Sequence, residues 1–230
     1  ADELTRELAP IPARLQSTLD ALRRAFEHEK QATADISHEL RTPIAALLAT
    51  LDVTLRKPRT AEQYRAALED CRAIGKQLGG LVERVMALAW VDAGADRVAS
   101  EPADARDLGA ACAVVIKPLA EAAGLTFTAA LNTPAPLVTD PGKLREVVVN
   151  LLHNAVEYNR PGGSIALAVR PTPTGGAEVE VRDTGVGMPP AVRERIFERF
   201  YRADASRHDA GVHAGLGLAI VKEYLEQLGG

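Results

Sequence analysis

Two apolar stripes at helical spacing, separated by a short stretch that breaks a helix, constrain the first part of this chain more than any other feature. Leu15, Leu19, Leu22 and Phe26 recur at steps of three and four, and Leu40, Ile44, Leu47, Leu51 and Leu55 continue the pattern. The segment Arg56-Lys57-Pro58-Arg59-Thr60 interrupts it. Thr60, with Gln63 three residues on, is the signature of a capping box that starts a second helix. That helix carries Ala67, Cys71, Ile74, Leu78, Leu81, Val85 and Leu88. Two long helices joined by a short loop form an antiparallel hairpin. One stripe per helix is more apolar surface than a lone pair can bury, so two copies are expected to pair as a four-helix bundle.

The second part has a different texture. Ala93-Gly94-Ala95-Asp96 ends the helical pattern and opens a linker expected over 94–104. Asp107 to about Ala123 reads as a helix, Leu125 to Leu131 as a strand, and Asn132 to Pro136 as a turn. Pro141 to Glu157 reads as a helix with Asp140 at its N-cap. Ile165 to Arg170 and Glu178 to Arg182 read as strands around Pro171-Thr172-Pro173-Thr174-Gly175-Gly176, and Gly217 to Leu228 as a last helix. Helices and strands in mixed order predict a two-layer α/β sandwich, so the fold class is multidomain, α followed by α+β. The expected divisions are a helical segment over 1–30, the hairpin over 31–93, the linker, and the sandwich over 105–230.

The net charge of −4 gives no electrostatic case for nucleic-acid binding. Cys71 and Cys112 lack metal-ligand spacing and sit in apolar helical patterns, which suits packing in a reducing compartment. No apolar run approaches the ~20 residues of a membrane span. The chain starts with Ala, so it reads as a fragment, from which any upstream membrane segment would be missing.

His38 sits in Ile36-Ser37-His38-Glu39-Leu40-Arg41-Thr42-Pro43, on the side of the helix opposite the apolar stripe. Its face therefore meets solvent, and Thr42, one turn on, shares that face. A surface or capping role would be the ordinary reading of such a histidine. Pro43 changes the balance, because it leaves the carbonyl of Glu39 without its helical N–H and is expected to loosen or kink the helix there. A neutral imidazole is a good nucleophile near neutral pH. Glu39 is placed to accept a hydrogen bond from the other ring N–H or to act as general base as phosphate arrives, and the Thr42 hydroxyl to position a water for the reverse hydrolysis.

On the helix 141–157, Glu146, Asn150, Asn154 and Glu157 share one face, and Leu144, Val148, Leu151, Leu152 and Ala155 the other. A wet face on an amphipathic helix explains this equally well. Asparagine amides also suit a site where a magnesium ion meets phosphate oxygens. Asp183 ends a strand and enters the turn Thr184-Gly185-Val186-Gly187-Met188-Pro189, where glycines allow close backbone approach and the carboxylate can accept an adenine amine. Phe197 and Phe200 precede the polar stretch Ala203 to Ala214, which suits a mobile lid. Gly215 and Gly217 lie where the last helix begins, and its N–H groups can meet phosphate.

These segments, in this order, resemble the sensor histidine kinases of two-component systems. Ser37 to Pro43 resembles the family's phosphoacceptor box, Asn150 to Ala155 its asparagine box, Asp183 to Met188 its first glycine box and Gly215 to Lys222 its second. Phe197 and Phe200 resemble the phenylalanine box between the last two. The resemblance implies a dimerisation and phosphoacceptor hairpin followed by an ATP-binding domain of the Bergerat type. It implies that His38 is the phosphoacceptor, Glu39 its acid/base and Thr42 the residue serving the phosphatase reaction. It also implies Asn154 as the magnesium ligand, Asn150 beside the phosphates, Asp183 on adenine and Tyr158 against the base. Gly185, Gly187, Gly215 and Gly217 would shape the pocket, and Arg202 would assist the phosphate. The cofactors implied are ATP and Mg2+, and the partners a second copy and the receiver domain of a response regulator. The parent protein would be an inner-membrane sensor with this portion in the cytoplasm, and residues 3–30 would be its juxtamembrane signalling helix.

Three positions depart from the family's pattern. Glu157 stands where lysine is common, Gly211-Val212-His213-Ala214 supplies less glycine than usual, and the chain stops at Gly230 where further strands are expected. Two rival functions remain at this level: a hydrolytic ATPase of the same nucleotide fold, and a scaffold that binds nucleotide without turnover. The ATPases carry a glutamate one turn before the magnesium asparagine, where this chain has Asn150, and an amide is no base.

Overall fold

The computed structural model describes residues 10–93, 97–201 and 215–230. The chain divides into two compact units, Ala1–Leu78 and Gly79–Gly230. Helices α1 (Pro10–Leu55) and α2 (Ala61–Asp92) make up the hairpin, and the division between the units falls inside α2 at Gly79-Gly80, ahead of the expected linker. No helix among the described residues is long and apolar enough to cross a membrane.

The loop between the helices is built as its sequence implies. Thr60 N–H donates to Gln63 Oε1 at 3.2 Å, and Gln63 N–H donates to Thr60 Oγ1 at 3.3 Å. This reciprocal pair satisfies two of the donors that a helix start leaves open. Arg59 adds a bond from its guanidinium to the Val53 carbonyl, 2.8 Å, holding the loop to the end of α1. Pro43 lies inside α1, which is helical from Pro10 to Leu55, and its ring is buried. A proline costs about 3 kcal/mol in a helix interior, because it lacks the N–H and its ring crowds the preceding turn.

The second unit is a helical layer on a short mixed sheet. Its elements are β1 (Glu101–Asp104), α3 (Ala105–Ala122), β2 (Thr126–Ala130), β3 (Pro136–Thr139), α4 (Pro141–Glu157), β4 (Ser164–Pro171), β5 (Ala177–Asp183), the single turn α5 (Pro190–Arg193) and α6 (Gly217–Leu228). The main sheet has the order β2-β4-β5, with β2 parallel and β5 antiparallel to β4. Along β4 burial alternates, so Ile165, Leu167 and Val169 face the core. They pack in one cluster with Cys112, Ile116 and Ala120 of α3 and Leu144, Val148 and Leu152 of α4. Each fully buried branched side chain contributes roughly 1.5–3 kcal/mol relative to an exposed one.

Two corrections follow. The segment expected to be linker contains β1, and the expected turn at 132–136 leads directly into β3, with which β1 pairs antiparallel from Glu101↔Thr139 to Asp104↔Pro136. Asp104 explains why α3 begins at Ala105 rather than Asp107. Its carboxylate accepts from Arg106 N–H at 2.9 Å, capping the helix, and from Ala135 N–H at 3.0 Å. Asp140 does the same for α4, accepting from Gly142 and Lys143 N–H, and its second oxygen accepts from Ala99 N–H at 2.9 Å. Lys143 is buried. Its Nζ donates to Gln227 Oε1 at 2.6 Å and lies 4.8 Å over the Tyr224 ring, which ties α4 to α6.

Both capping carboxyls lie below the usual carboxylate range. For Asp104 the Ala135 amide is the main cause. For Asp140 burial works upward and is outweighed by the amides of Ala99, Lys143 and Gly142. Unfolded aspartate titrates near ~3.9. With folded values below that, the stabilisation is complete above it and is lost as pH falls through the folded values. Melting temperatures measured against pH are therefore expected to drop below about pH 4. Asp140→Ala is expected to cost about 1–2 kcal/mol at neutral pH and to reduce that acid dependence. A neutral-pH stability equal to wild type would contradict this.

Candidate functional site

The residues singled out by the sequence fall in two places, one in each unit. On α1, His38 and Thr42 are exposed and Glu39 is half-buried. The Thr42 hydroxyl lies 3.4 Å from the carbonyl of His38, and Ser37 Oγ donates to Thr33 O at 2.9 Å. The polar groups beside the histidine are thus engaged along the helix, while the imidazole faces solvent. The stripe on the other side stays partly uncovered within the unit. Ile44 is 43% exposed, Leu48 55%, Leu55 77% and, on α2, Leu68 65%.

In the second unit the site grows from α4. Its apolar face is buried through Leu144, Val148, Leu152 and Ala155, which leaves Glu146, Asn150 and Asn154 half-buried on the other side. Asn150 Nδ2 donates to the Glu146 carbonyl at 2.9 Å. That bond leaves Asn150 Oδ1 against the start of α6, where a Cβ on Gly217 would stand 3.1 Å from it. The Asn154 side chain makes no hydrogen bond among the described residues. His153, between them, has its pKa pushed down by burial first and by the Arg84 guanidinium second.

Tyr158 caps the C-terminus of α4, and its carbonyl receives the first glycine turn: Val186 N–H donates to it at 3.1 Å. Gly185 is packed so closely there that a Cβ would overlap the Tyr158 carbonyl oxygen and press on Asp183 Oδ1. Asp183 is the last residue of β5, and its Oδ1 accepts from Gly185 N–H at 2.7 Å. This turn-forming bond fixes one carboxylate oxygen and leaves the other toward solvent. Val186 and Met188 are each 50% exposed, and Tyr158 37%, so the turn presents apolar side chains beside a carboxylate. Such a mixture suits a planar base that also carries an amine. Gly187 has a positive φ of 70°. Gly185→Ala is expected to weaken nucleotide binding at least tenfold by forcing the turn off Tyr158. Titration with a fluorescent ATP analogue would check it, and an unchanged affinity would count against the turn as part of the site.

At the far side, Gly215 (φ 66°) precedes α6, and its carbonyl accepts from Phe200 N–H at 3.0 Å. Phe197 is 42% exposed, so the aromatic pair is not sealed in the core. Arg202, and the stretch Ala203 to Ala214 expected to form a lid, lie outside the described residues. One supporting network corresponds to none of the sequence motifs. Thr184 Oγ1 accepts from Ser164 N–H at 2.8 Å and lies 3.3 Å from Asn159 Oδ1, while Asn159 Nδ2 donates to the carbonyls of Ala155 and Ser164. It pins the glycine turn, the end of α4 and the start of β4 together. No local pattern signals it, because Thr184 meets Asn159 and Ser164 only in the fold.

An α/β layer presenting helix-borne asparagines, a strand-end aspartate and two glycine turns defines a nucleotide-binding domain. Residues 139–230 match the family model of the histidine kinase-, DNA gyrase B- and HSP90-like ATPases, and residues 28–94 match the His Kinase A phospho-acceptor domain. The chain is 33% identical over 224 residues to the sensor protein IrlS of Burkholderia pseudomallei, covering 97% of this chain and 48% of that protein. It is 33% identical over 247 residues to the signal transduction histidine-protein kinase/phosphatase MprB of Mycobacterium avium, covering 98% and 45%. Among solved structures it is similar to full-length ShkA in complex with AMPPNP, with 30% identity, a TM-score of 0.64, and coverage of 87% of this chain and 41% of that one. The chain belongs to the sensor histidine kinases of two-component systems. It spans about half the length of the curated relatives it matches.

Proposed function

We propose that this chain transfers the terminal phosphoryl group of ATP to His38 and passes it on to an aspartate in the receiver domain of a response regulator. The observation that carries this reading is the presence, in one chain, of a solvent-facing histidine on a phosphoacceptor helix and a nucleotide domain with an uncommitted asparagine amide. The likeness to a kinase/phosphatase supports the reverse reaction on the regulator as well, with the Thr42 hydroxyl positioning water.

The residues present fit ATP and magnesium. Among the described residues no group of three His, Cys, Asp or Glu side chains could hold an ion. By the resemblance to the family's asparagine box, the side-chain oxygen of Asn154 would hold magnesium beside the phosphates, a role suited to an amide oxygen that no other described group engages. Magnesium, when bound, neutralises charge that develops on the transferring phosphoryl group. Asn150 lies beside the phosphates with the amides at Gly215 and Gly217, the free oxygen of Asp183 accepts the adenine amine, and Tyr158 packs against the base. Gly185 and Gly187 give the turn its close approach, and Arg202 assists the phosphate. A neutral His38 nitrogen attacks the terminal phosphorus, so an N–P bond forms as the bond to the β-phosphate oxygen breaks. ADP leaves with that electron pair, and Glu39 takes the proton of the other ring nitrogen.

The partly uncovered stripes of α1 and α2 fit a homodimeric four-helix bundle, with hairpin 31–93 as the dimerisation and phosphoacceptor domain and the catalytic domain starting at β1, over 101–230. The parent protein is read as a membrane-anchored sensor whose cytoplasmic portion includes these residues, with 1–30 as its signalling helix and 94–100 as the joint between domains. Incubation with γ-labelled ATP and magnesium tests the function. Acid-labile, alkali-stable label on the protein is expected. Free phosphate without labelled protein would make it a hydrolytic ATPase, and nucleotide binding with neither would make it a scaffold.

A further inference from the structure

The turn that follows α5 is held to α6 by contacts that no motif announces. Arg199 Nη2 and Glu223 Oε1 form an ion pair at 3.2 Å, with side chains only 22% and 31% exposed. Glu223 lies in the second turn of α6. Next to Arg199, Phe200 is the one non-glycine residue with positive φ, 61°, among the described residues. Side chains with a Cβ rarely adopt that conformation, and it persists only where the surroundings hold it. Two contacts do so. Phe200 N–H donates to the Gly215 carbonyl, and Gly215 is itself left-handed, so close that a Cβ there would come 2.8 Å from the Phe200 carbonyl carbon.

The turn also carries side-chain contacts of its own. Arg195 bonds Glu198 through Nε and Nη2 at 2.9–3.2 Å and lies 4.4 Å over the Tyr201 ring. The turn is thus joined to α6 at Glu223 and, through the backbone, to Gly215 just ahead of it. The start of α6 is the place where Gly217 packs against Asn150.

We infer that Arg199 is a positioning residue: its ion pair with Glu223, together with the Phe200–Gly215 backbone pair, forms a clasp that seats the start of α6 against Asn150 and so sets the affinity for the triphosphate of ATP. This rests on the nucleotide reading above. Arg199 touches no reacting atom and acts through Gly215 and Gly217. The Phe200 left-handed backbone is the strained member that the ion pair keeps in place, so loss of either charge releases the same element.

The test uses the full chain with Arg199→Gln, Glu223→Gln, both together, and the charge swap Arg199→Glu/Glu223→Arg. Amide hydrogen exchange without nucleotide reads the clasp, and titration with Mg-ATP reads its consequence. Each single variant is expected to speed exchange at Phe200, leave Ile165 and Leu167 protected, and weaken ATP binding roughly fivefold by loss of preorganisation. The double variant is expected to be no worse than a single, and the swap to recover most of the affinity. Wild-type exchange at Phe200 in both singles, or single effects that add in the double, would overturn the clasp. If Arg199→Gln also lowers protection across β4, Glu223→Gln decides, because it removes the same pair from the other side. Faster exchange at Phe200 in a protein whose wild type binds no ATP would leave the clasp standing and remove the nucleotide reading.

Discussion

Replacing His38 by Gln is expected to reduce ATP-dependent labelling of the protein to background, a loss of roughly a thousandfold or more. Glutamine keeps a polar side chain of similar reach, but its amide nitrogen has no available lone pair with which to attack phosphorus. The substitution separates chemistry from structure because His38 is exposed. Surface substitutions of this kind usually change stability by no more than about 0.5 kcal/mol. Melting temperature and ATP affinity should therefore match wild type while the label disappears. Retained labelling would move the acceptor to another residue, and a joint loss of labelling and folding would show His38 to be structural.

The second large effect is expected at Asn154. Its side-chain amide makes no hydrogen bond among the described residues and is half-buried on the wet face of α4, opposite Leu144, Val148 and Leu152. Asn154→Ala should leave the apolar face and the helix intact, since alanine is the better helix former. It should remove the oxygen proposed to hold the metal beside the phosphates. The autophosphorylation rate is expected to fall on the order of 10²-fold, the cost of deleting one preorganised group facing developing charge. The loss should appear in magnesium-dependent binding and not in the melting curve. Quenched-flow labelling across a magnesium titration would measure it. An Asn154→Ala protein with wild-type magnesium dependence would assign the metal to other residues.

The elements that sequence made plain are those fixed by local chemistry. Helix α4 starts where Asp140 and Pro141 place a cap and a first helical residue, and α6 ends where Gly229 turns left-handed at φ 79°. The Thr60–Gln63 box is equally local. Strands β1 and β3 are hidden in the sequence because each has only four residues, each contains a proline, and neither Glu101-Pro102-Ala103-Asp104 nor Pro136-Leu137-Val138-Thr139 alternates apolar and polar residue types. What holds them is distant in sequence: the Asp104 carboxylate joins Ala135, and Asp140 joins Ala99. The same distinction applies to the site. Asn150, Asn154, Asp183 and the glycines could be read as motifs, since their residue types carry the chemistry. The Asn159–Thr184–Ser164 network, the buried Lys143 and the Arg199–Glu223 pair could not, because each is defined by a partner that only the tertiary structure brings near. Lysine is almost never fully buried unless paired, so sequence argues for an exposed Lys143 until Gln227 and Tyr224 are placed around it.

The central claim, that the phosphoryl group of ATP comes to rest on His38, is tested most directly by fragmentation mass spectrometry. The protein would be incubated with ATP and magnesium and kept at neutral to alkaline pH throughout. A single added phosphoryl group, borne by His38 and lost on brief acid treatment, is expected. Phosphate found on Ser37, Thr42 or any residue other than His38, or ATP consumed with no phosphoryl group retained by the protein, would contradict it.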